Sequence, residues 1–170
     1  MNFVPDIEGQ ARGGPAVESA FRAVADDLGL VLRGGRDGVL RCEYTPGSYE
    51  PIEFAFRFPE GLGILAVEGA LATFEGQPSE ELRLAINYLN AEVQTYRFYV
   101  SEGEGPSDSV LLVRHDLLPN LDEAPPFHPR ELRQILAGLC AQKAIFADTL
   151  LQIQEGRPWR LVKDALRALR

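Results

Sequence analysis

Ser109, His115 and Asp116 are the residue types of a nucleophilic triad, and they fall within one short stretch of the chain. A triad needs the acid to hold the base and the base to reach the hydroxyl. The stretch 110–114 reads as a strand. Successive strand residues point to opposite faces, so His115 and Asp116 do not pair if the strand continues. No glycine-framed turn surrounds Ser109 to lift its hydroxyl out of a sheet. The three are therefore expected as polar residues at strand ends. The second histidine, His128, stands before Pro129 and is expected to flank a helix start.

Metal chemistry has little to draw on. The chain holds two histidines and two cysteines, and no pair of them has ligand spacing. Cys42 alternates with Leu40 and Tyr44, and Cys140 adjoins Leu139. Both are expected as small apolar core residues and as reduced thiols. The segment Gly61-Leu62-Gly63-Ile64-Leu65-Ala66 imitates a dinucleotide loop. It runs into a strand, whereas the fingerprint opens a helix. The acidic pairs Asp26-Asp27, Glu80-Glu81 and Asp122-Glu123 belong to a chain with 25 acids, and solvated surface accounts for them. No cofactor, metal or catalytic set is expected.

One constellation remains, at the C-terminal end. Arg160, Lys163, Arg167 and Arg170 are spaced 3, 4 and 3 apart and share a helix face. Trp159, Val162, Leu166 and Leu169 form an apolar stripe beside them. A short helix over 158–169 is expected, started by Pro158 after a break at Gly156. Its stripe either docks on its own domain or meets a partner. Trp159, Arg160, Val162, Lys163, Leu166 and Arg167 are the candidate contacts with a client or a second copy. Four cations on one face also raise direct nucleic-acid binding as an alternative.

Composition bounds these readings. The 170 residues are 45% hydrophobic and 25% charged, as in an ordinary globular domain with a proper core. The net charge of −8 opposes attraction to phosphate backbones and favours basic partners. It is uneven: residues 157–170 hold five basic side chains against Asp164 and contribute +4, leaving −12 on the rest. The opening Met1-Asn2-Phe3-Val4-Pro5-Asp6 lacks a secretory pattern, and no apolar run reaches bilayer length. A cytoplasmic protein without membrane contact is expected.

The elements that must carry these residues follow from periodicity. Residues 1–14 read as a flexible arm. Val17, Ala20, Phe21, Val24 and Leu28 recur at helical spacing, with Pro15 at the start and Gly29 at the stop. Strands are expected over 30–32 and 39–44, separated by glycine-rich turn chemistry at 34–38. The cleanest strand is 52–58, with Ile52, Phe54, Phe56 and Phe58 on one face and Glu53 and Arg57 on the other. Residues 63–74 are apolar on both faces, as in a central or helix-covered strand. Pro78 opens a second helix with Leu82, Ala85, Ile86 and Leu89 buried and Asn90 at its end. Strands over 93–100 and 110–114 follow. A long helix from Pro129 then buries Leu132, Ile135, Leu136, Leu139, Phe146, Leu150 and Ile153. The class is α+β: a twisted antiparallel sheet with helices packed on it, in one domain over 15–170.

The stretch Glu81-Leu82-Arg83-Leu84-Ala85-Ile86-Asn87-Tyr88-Leu89-Asn90-Ala91-Glu92 leads directly into the aromatic strand Tyr96-Arg97-Phe98-Tyr99-Val100. With Pro129-Arg130-Glu131-Leu132 and Ala147-Asp148 of the later helix, it resembles the YbjN-like family, and through it the chaperones of type III secretion. The resemblance covers residues 15–155. It implies an α-β-β-β-α-β-β-α order, a homodimer, and the holding of extended segments of other proteins. It also implies a regulatory, stress-associated role without enzymatic activity. The appended arm and the 158–169 helix depart from that pattern. The function expected is a non-enzymatic, chaperone-like binding protein whose client is a basic or nucleic-acid-binding protein. Direct nucleic-acid binding through the last helix is the alternative, and a small-molecule enzyme using His115 or His128 comes third.

Overall fold

The structure is a computed structural model that describes residues 13–34, 38–45, 47, 49–103, 105, 107–119 and 126–168. Among these, the chain runs α1 (Gly13–Asp27), β1 (Arg33–Gly34), β2 (Leu40–Tyr44), β3 (Ile52–Arg57), β4 (Leu65–Glu75), α2 (Glu80–Glu92), β5 (Arg97–Glu102), β6 (Asp108–Leu117), α3 (Pro129–Gln154) and α4 (Leu161–Arg167). The strands form one sheet in the order β1-β2-β3-β4-β6-β5, with every neighbouring pair antiparallel. This is the expected α+β class, with six strands as periodicity predicts and one more than the order implied by the resemblance; the first strand is the two-residue β1 at 33–34 in place of 30–32. The arm expected at 1–14 lies outside the described residues up to position 12, and Gly13 and Gly14 already belong to α1.

The displacement of the first strand has a local cause. At the end of α1, Leu30 N–H bonds the Ala25 carbonyl at 2.9 Å and Gly29 N–H bonds the Asp26 carbonyl at 3.0 Å. This closure needs a left-handed residue, and Gly29 supplies it with φ +70°. Leu30 is drawn into the core as the hydrophobic contact of that cap. The chain therefore reaches the sheet only at Arg33, and no strand forms over 30–32.

Strand β3 buries Ile52, Phe54 and Phe56 on one side, as its alternation predicts. Strand β4 is central and crosses the whole sheet. Between Ala70 and Ala72 its pairing with β6 slips by one residue, so Leu71 and Ala72 both serve the helix side. After this bulge Thr73 faces away from the helices and Phe74 faces toward them.

Helix α2 begins after Ser79, whose hydroxyl accepts the Leu82 N–H at 3.1 Å. Ser79 thus caps the helix and Pro78 precedes the cap. Glu80 and Glu81 occupy its positive end. The helix runs two residues past Asn90. No described residue other than glycine has a positive φ, so Asn90 is not a left-handed stop. Helix α3 opens on Pro129 behind His128, as expected, and buries every residue predicted for its stripe. All four helices pack on one face of the sheet, around a core that includes Phe21, Phe54, Phe56, Phe98, Phe127 and Phe146. Among the described residues, the other face of the sheet carries no helix.

Candidate functional site

Alternation along the strands decides what the helix-free face presents. It receives Glu53, Ala55 and Arg57 from β3, and Ala66, Glu68, Ala70 and Thr73 from β4. Strand β6 adds Val110, Leu112 and Arg114, and β5 adds Tyr99. The small side chains at 55, 70 and 73 leave a hollow of about 490 Å³. Glu68 is the most buried charge among the described residues, at 3% exposure. Its carboxylate accepts Arg57 Nε at 2.7 Å and lies 3.7 Å from Arg114, which also bonds Asp116 at 2.6 Å. The Tyr99 hydroxyl donates to Glu68 as well. Burial, then that bond and the negative charge beside it, push the Tyr99 hydroxyl well above the usual phenol range, against the partial opposition of Arg114 and Arg57. Long arginine side chains here do for Glu68 what a helix would do elsewhere: they cover and neutralise it. A carboxylate held by two guanidiniums and a phenol hydroxyl offers a fixed, charge-compensated polar centre in the floor of the face.

The triad residues are not brought together. Ser109 and His115 are six positions apart on β6, roughly 20 Å along a strand. Ser109 donates to the Gly76 carbonyl at 2.7 Å. His115 Nδ1 lies 3.1 Å from the Thr95 carbonyl, with its ring against Tyr96. Asp116 sits on the opposite face with Arg114. His128 caps α3 by position and makes no side-chain cap bond. The segment 61–66 enters β4, as expected. Among the described residues no three metal-capable side chains cluster. No described helix is long and apolar enough to cross a membrane. Of the acidic pairs, Asp26-Asp27 is exposed, Glu80-Glu81 opens α2, and Asp122-Glu123 lies outside the described residues.

Both cysteines are buried and unbridged. Burial, with Glu53 nearby, pushes the Cys42 thiol up to about 11; burial pushes Cys140 up to about 11 against the pull of Lys143. Both thiols stay protonated in the fold at a pH where the unfolded chain has begun to ionise. Their contribution to stability is intact below about pH 9 and is lost as pH rises toward 11. The melting temperature is expected to fall over pH 9–11. Replacing Cys42 and Cys140 by alanine should flatten that fall, as read by thermal denaturation across the range.

The C-terminal helix docks on its own chain. Helix α4 starts at Leu161, not Pro158, because residues 158–163 first make tight turn bonds, Leu161 N–H to Pro158 and Val162 N–H to Trp159. Val162 has no exposed surface, and Trp159 and Leu166 pack partly buried against the core. Trp159 N–H donates to Glu81 at 2.6 Å. Lys163 Nζ lies 4.6 Å from the Trp159 ring centre and 4.9 Å from that of Tyr88. Arg160 and Arg167 are exposed, and Arg167 bonds Asp164 at 3.5 Å. Leu169 and Arg170 lie outside the described residues. The apolar half of the predicted contact set is thus used internally, and one of its cations lies over two rings. Val162→Asp should undock α4. The chain's one tryptophan would then report a red-shifted emission, with a far smaller change in the unfolding midpoint of the whole domain.

Sequence reading missed two residues. Asn90 Nδ2 donates to the Phe98 carbonyl at 2.8 Å, and Phe98 N–H donates to Asn90 Oδ1 at 2.7 Å. Phe98 belongs to the edge strand β5, and Asn90 satisfies both backbone groups that a further strand would otherwise take. Glu68 was the other; its one signal is a lone acid inside an apolar run.

No family model matches the chain, and no curated protein matches it. Among solved structures it is similar to YbjN from E. coli, which is described as a candidate transcription regulator. The TM-score is 0.48 and the identity 14%, over 79% of this chain and 89% of that chain. The likeness is to a YbjN-like fold alone, and no residue role is carried across.

Proposed function

We propose that this chain is a protein-binding module, chaperone-like or regulatory, that meets its partner through the helix-free face of the sheet and performs no chemistry of its own. The observation that carries the reading is the one-sided arrangement of helices. It leaves a hollow of about 490 Å³ floored by Ala55, Ala70, Thr73, Val110 and Leu112. An extended segment laid there would bury apolar side chains against that floor and set polar ones against the charges around it. The net charge of −8 steers basic partners toward the molecule. Two buried thiols suit a reducing compartment, and the cytoplasm is part of this reading. So is self-association into a homodimer.

Leu112→Lys places a cation on the hollow's floor, and Arg160→Glu alters only the exposed side of α4. Affinity capture from cell lysate with the unaltered chain and with each variant separates the surfaces. Proteins retained by the unaltered chain and by Arg160→Glu are expected to be lost with Leu112→Lys, while circular dichroism stays unchanged. Retention by a folded Leu112→Lys variant would sink the reading. Loss with Arg160→Glu alone would move the contact to the basic helix.

A further inference from the structure

Of the 17 basic residues in the chain, two are lysines, Lys143 and Lys163. Elsewhere the sequence supplies positive charge as arginine. Lys163 instead brings a compact ammonium to a pair of aromatic rings. Its Nζ lies 4.6 Å from the centre of the Trp159 ring and 4.9 Å from that of Tyr88. The two ring centres are 5.6 Å apart, with the planes tilted by 52°. Among the described residues no carboxylate pairs with this ammonium, so the rings are what hold it. A methyl carbon rests on a ring at roughly 3.5–4.0 Å, which sets the nitrogen that bears it roughly 4–5 Å from the ring centre. An N–H hydrogen needs no such gap. The space between Lys163 Nζ and each ring is therefore about one methyl group thick, and a bare ammonium fills it incompletely.

We propose that Tyr88 and Trp159 form a binding site for a quaternary ammonium group, and that Lys163 is its resting occupant. The ligand class is a compact cation bearing N-methyl groups, carried either by a free molecule of the choline type or by a trimethylated lysine side chain. A lysine ammonium is strongly hydrated and gives up water to lie on a ring. A quaternary nitrogen has no N–H to surrender, and its methyl groups meet the ring faces directly, so the two rings favour it over the resident. The site is fixed from behind. Glu81 lies about two turns before Tyr88 on the same side of α2 and accepts the Trp159 N–H at 2.6 Å. Val162, with no exposed surface, anchors the turn that follows. Tyr88 belongs to α2 and Trp159 to the segment entering α4, so the rings meet only while α4 is docked. Both rings are half-buried, which leaves the site open to solvent on one side. The flexible stem lets Lys163 swing out there without moving the helix. The site lies in the helix layer, away from the open face of the sheet, and does not depend on the reading of that face.

Titration of the full chain with tetramethylammonium chloride tests this, with sodium chloride at equal ionic strength as the reference. The chain's one tryptophan is part of the site, so its emission reads binding directly. A saturable change is expected with tetramethylammonium and none with sodium. Lys163→Met removes the resident charge and keeps the stem, and should bind the probe about tenfold more tightly. Adding Tyr88→Leu to that variant should reverse the gain. Saturation transfer from the protein to the N-methyl protons gives a second reading on the unaltered chain, and Tyr88→Leu alone should abolish it. Choline and a short trimethyl-lysine peptide, run in place of the probe, identify the source of the cation by which binds more tightly. No transfer to tetramethylammonium with the unaltered chain overturns the proposal, even where Lys163→Met undocks α4 and red-shifts the emission. So does a docked Lys163→Met variant that gives no saturation, a Tyr88→Leu variant that binds as well as its parent, or an unmethylated lysine peptide that binds as well as the probe.

Discussion

Replacing Phe21 by alanine is expected to remove about 3–5 kcal/mol of stability, read as a lower urea midpoint with an unchanged slope. The ring has no exposed surface. Its centre lies 4.5 Å from that of Phe56, 5.7 Å from Phe58 and 6.5 Å from Phe127. These neighbours belong to three separate parts of the chain: β3, the turn after it, and the segment that enters α3. Alanine leaves a hole between a sheet and a helix layer that are both fixed by other contacts, so collapse into it is limited. Domains of this size retain roughly 5–15 kcal/mol in total, and the variant should sit near the edge of folding at 37 °C. A loss below about 1 kcal/mol would show that α1 is not anchored through this ring.

The second large effect is expected from Asn90→Ala, at about 2–4 kcal/mol. Two bonds of 2.7 and 2.8 Å vanish together, and the Phe98 N–H and carbonyl are left without a partner next to a buried ring. Hydrogen exchange at the Phe98 amide should accelerate far more than at the amides of β6. Asn90→Asp keeps the acceptor and loses the donor, so its loss should be close to half. The alanine variant should also aggregate more readily, because β5 is the outer strand and Asn90 blocks its backbone. Unchanged exchange at Phe98 would show that the side chain does not hold the edge.

What the sequence shows well is what local periodicity can encode. The four apolar residues 52, 54, 56 and 58 fix β3, and the heptad-like run from Leu132 to Ile153 fixes α3, because burial on one side imposes period 2 or 3.6 on the residue types. The helix stop at Gly29 is legible for a similar local reason. The candidate site is not. Residues 63–74 read as apolar on both sides, as for a strand covered on both faces. In fact, among the described residues, the second face is covered at Glu68 by arginine and tyrosine side chains from β3, β5 and β6, which come together through long-range pairing. Asn90 reads as a helix end because its Phe98 partner is met only after the chain turns back. For the C-terminal helix the sequence offers docking and partner contact equally, and only packing at Val162 and Trp159 separates their uses.

The slip at Leu71 acts as a reading-frame correction within β4. The strand's final residues keep their sides because the slip absorbs the one extra position there. Regular pairing through that position, with no slip, would turn Phe74 outward and Thr73 inward, and would bring the Glu75 carboxylate to the helix side at the start of the α2 connection. A sequence lacking the insertion must therefore be aligned with its gap at Leu71, and a chain trimmed there keeps Thr73 and Phe74 on their present sides.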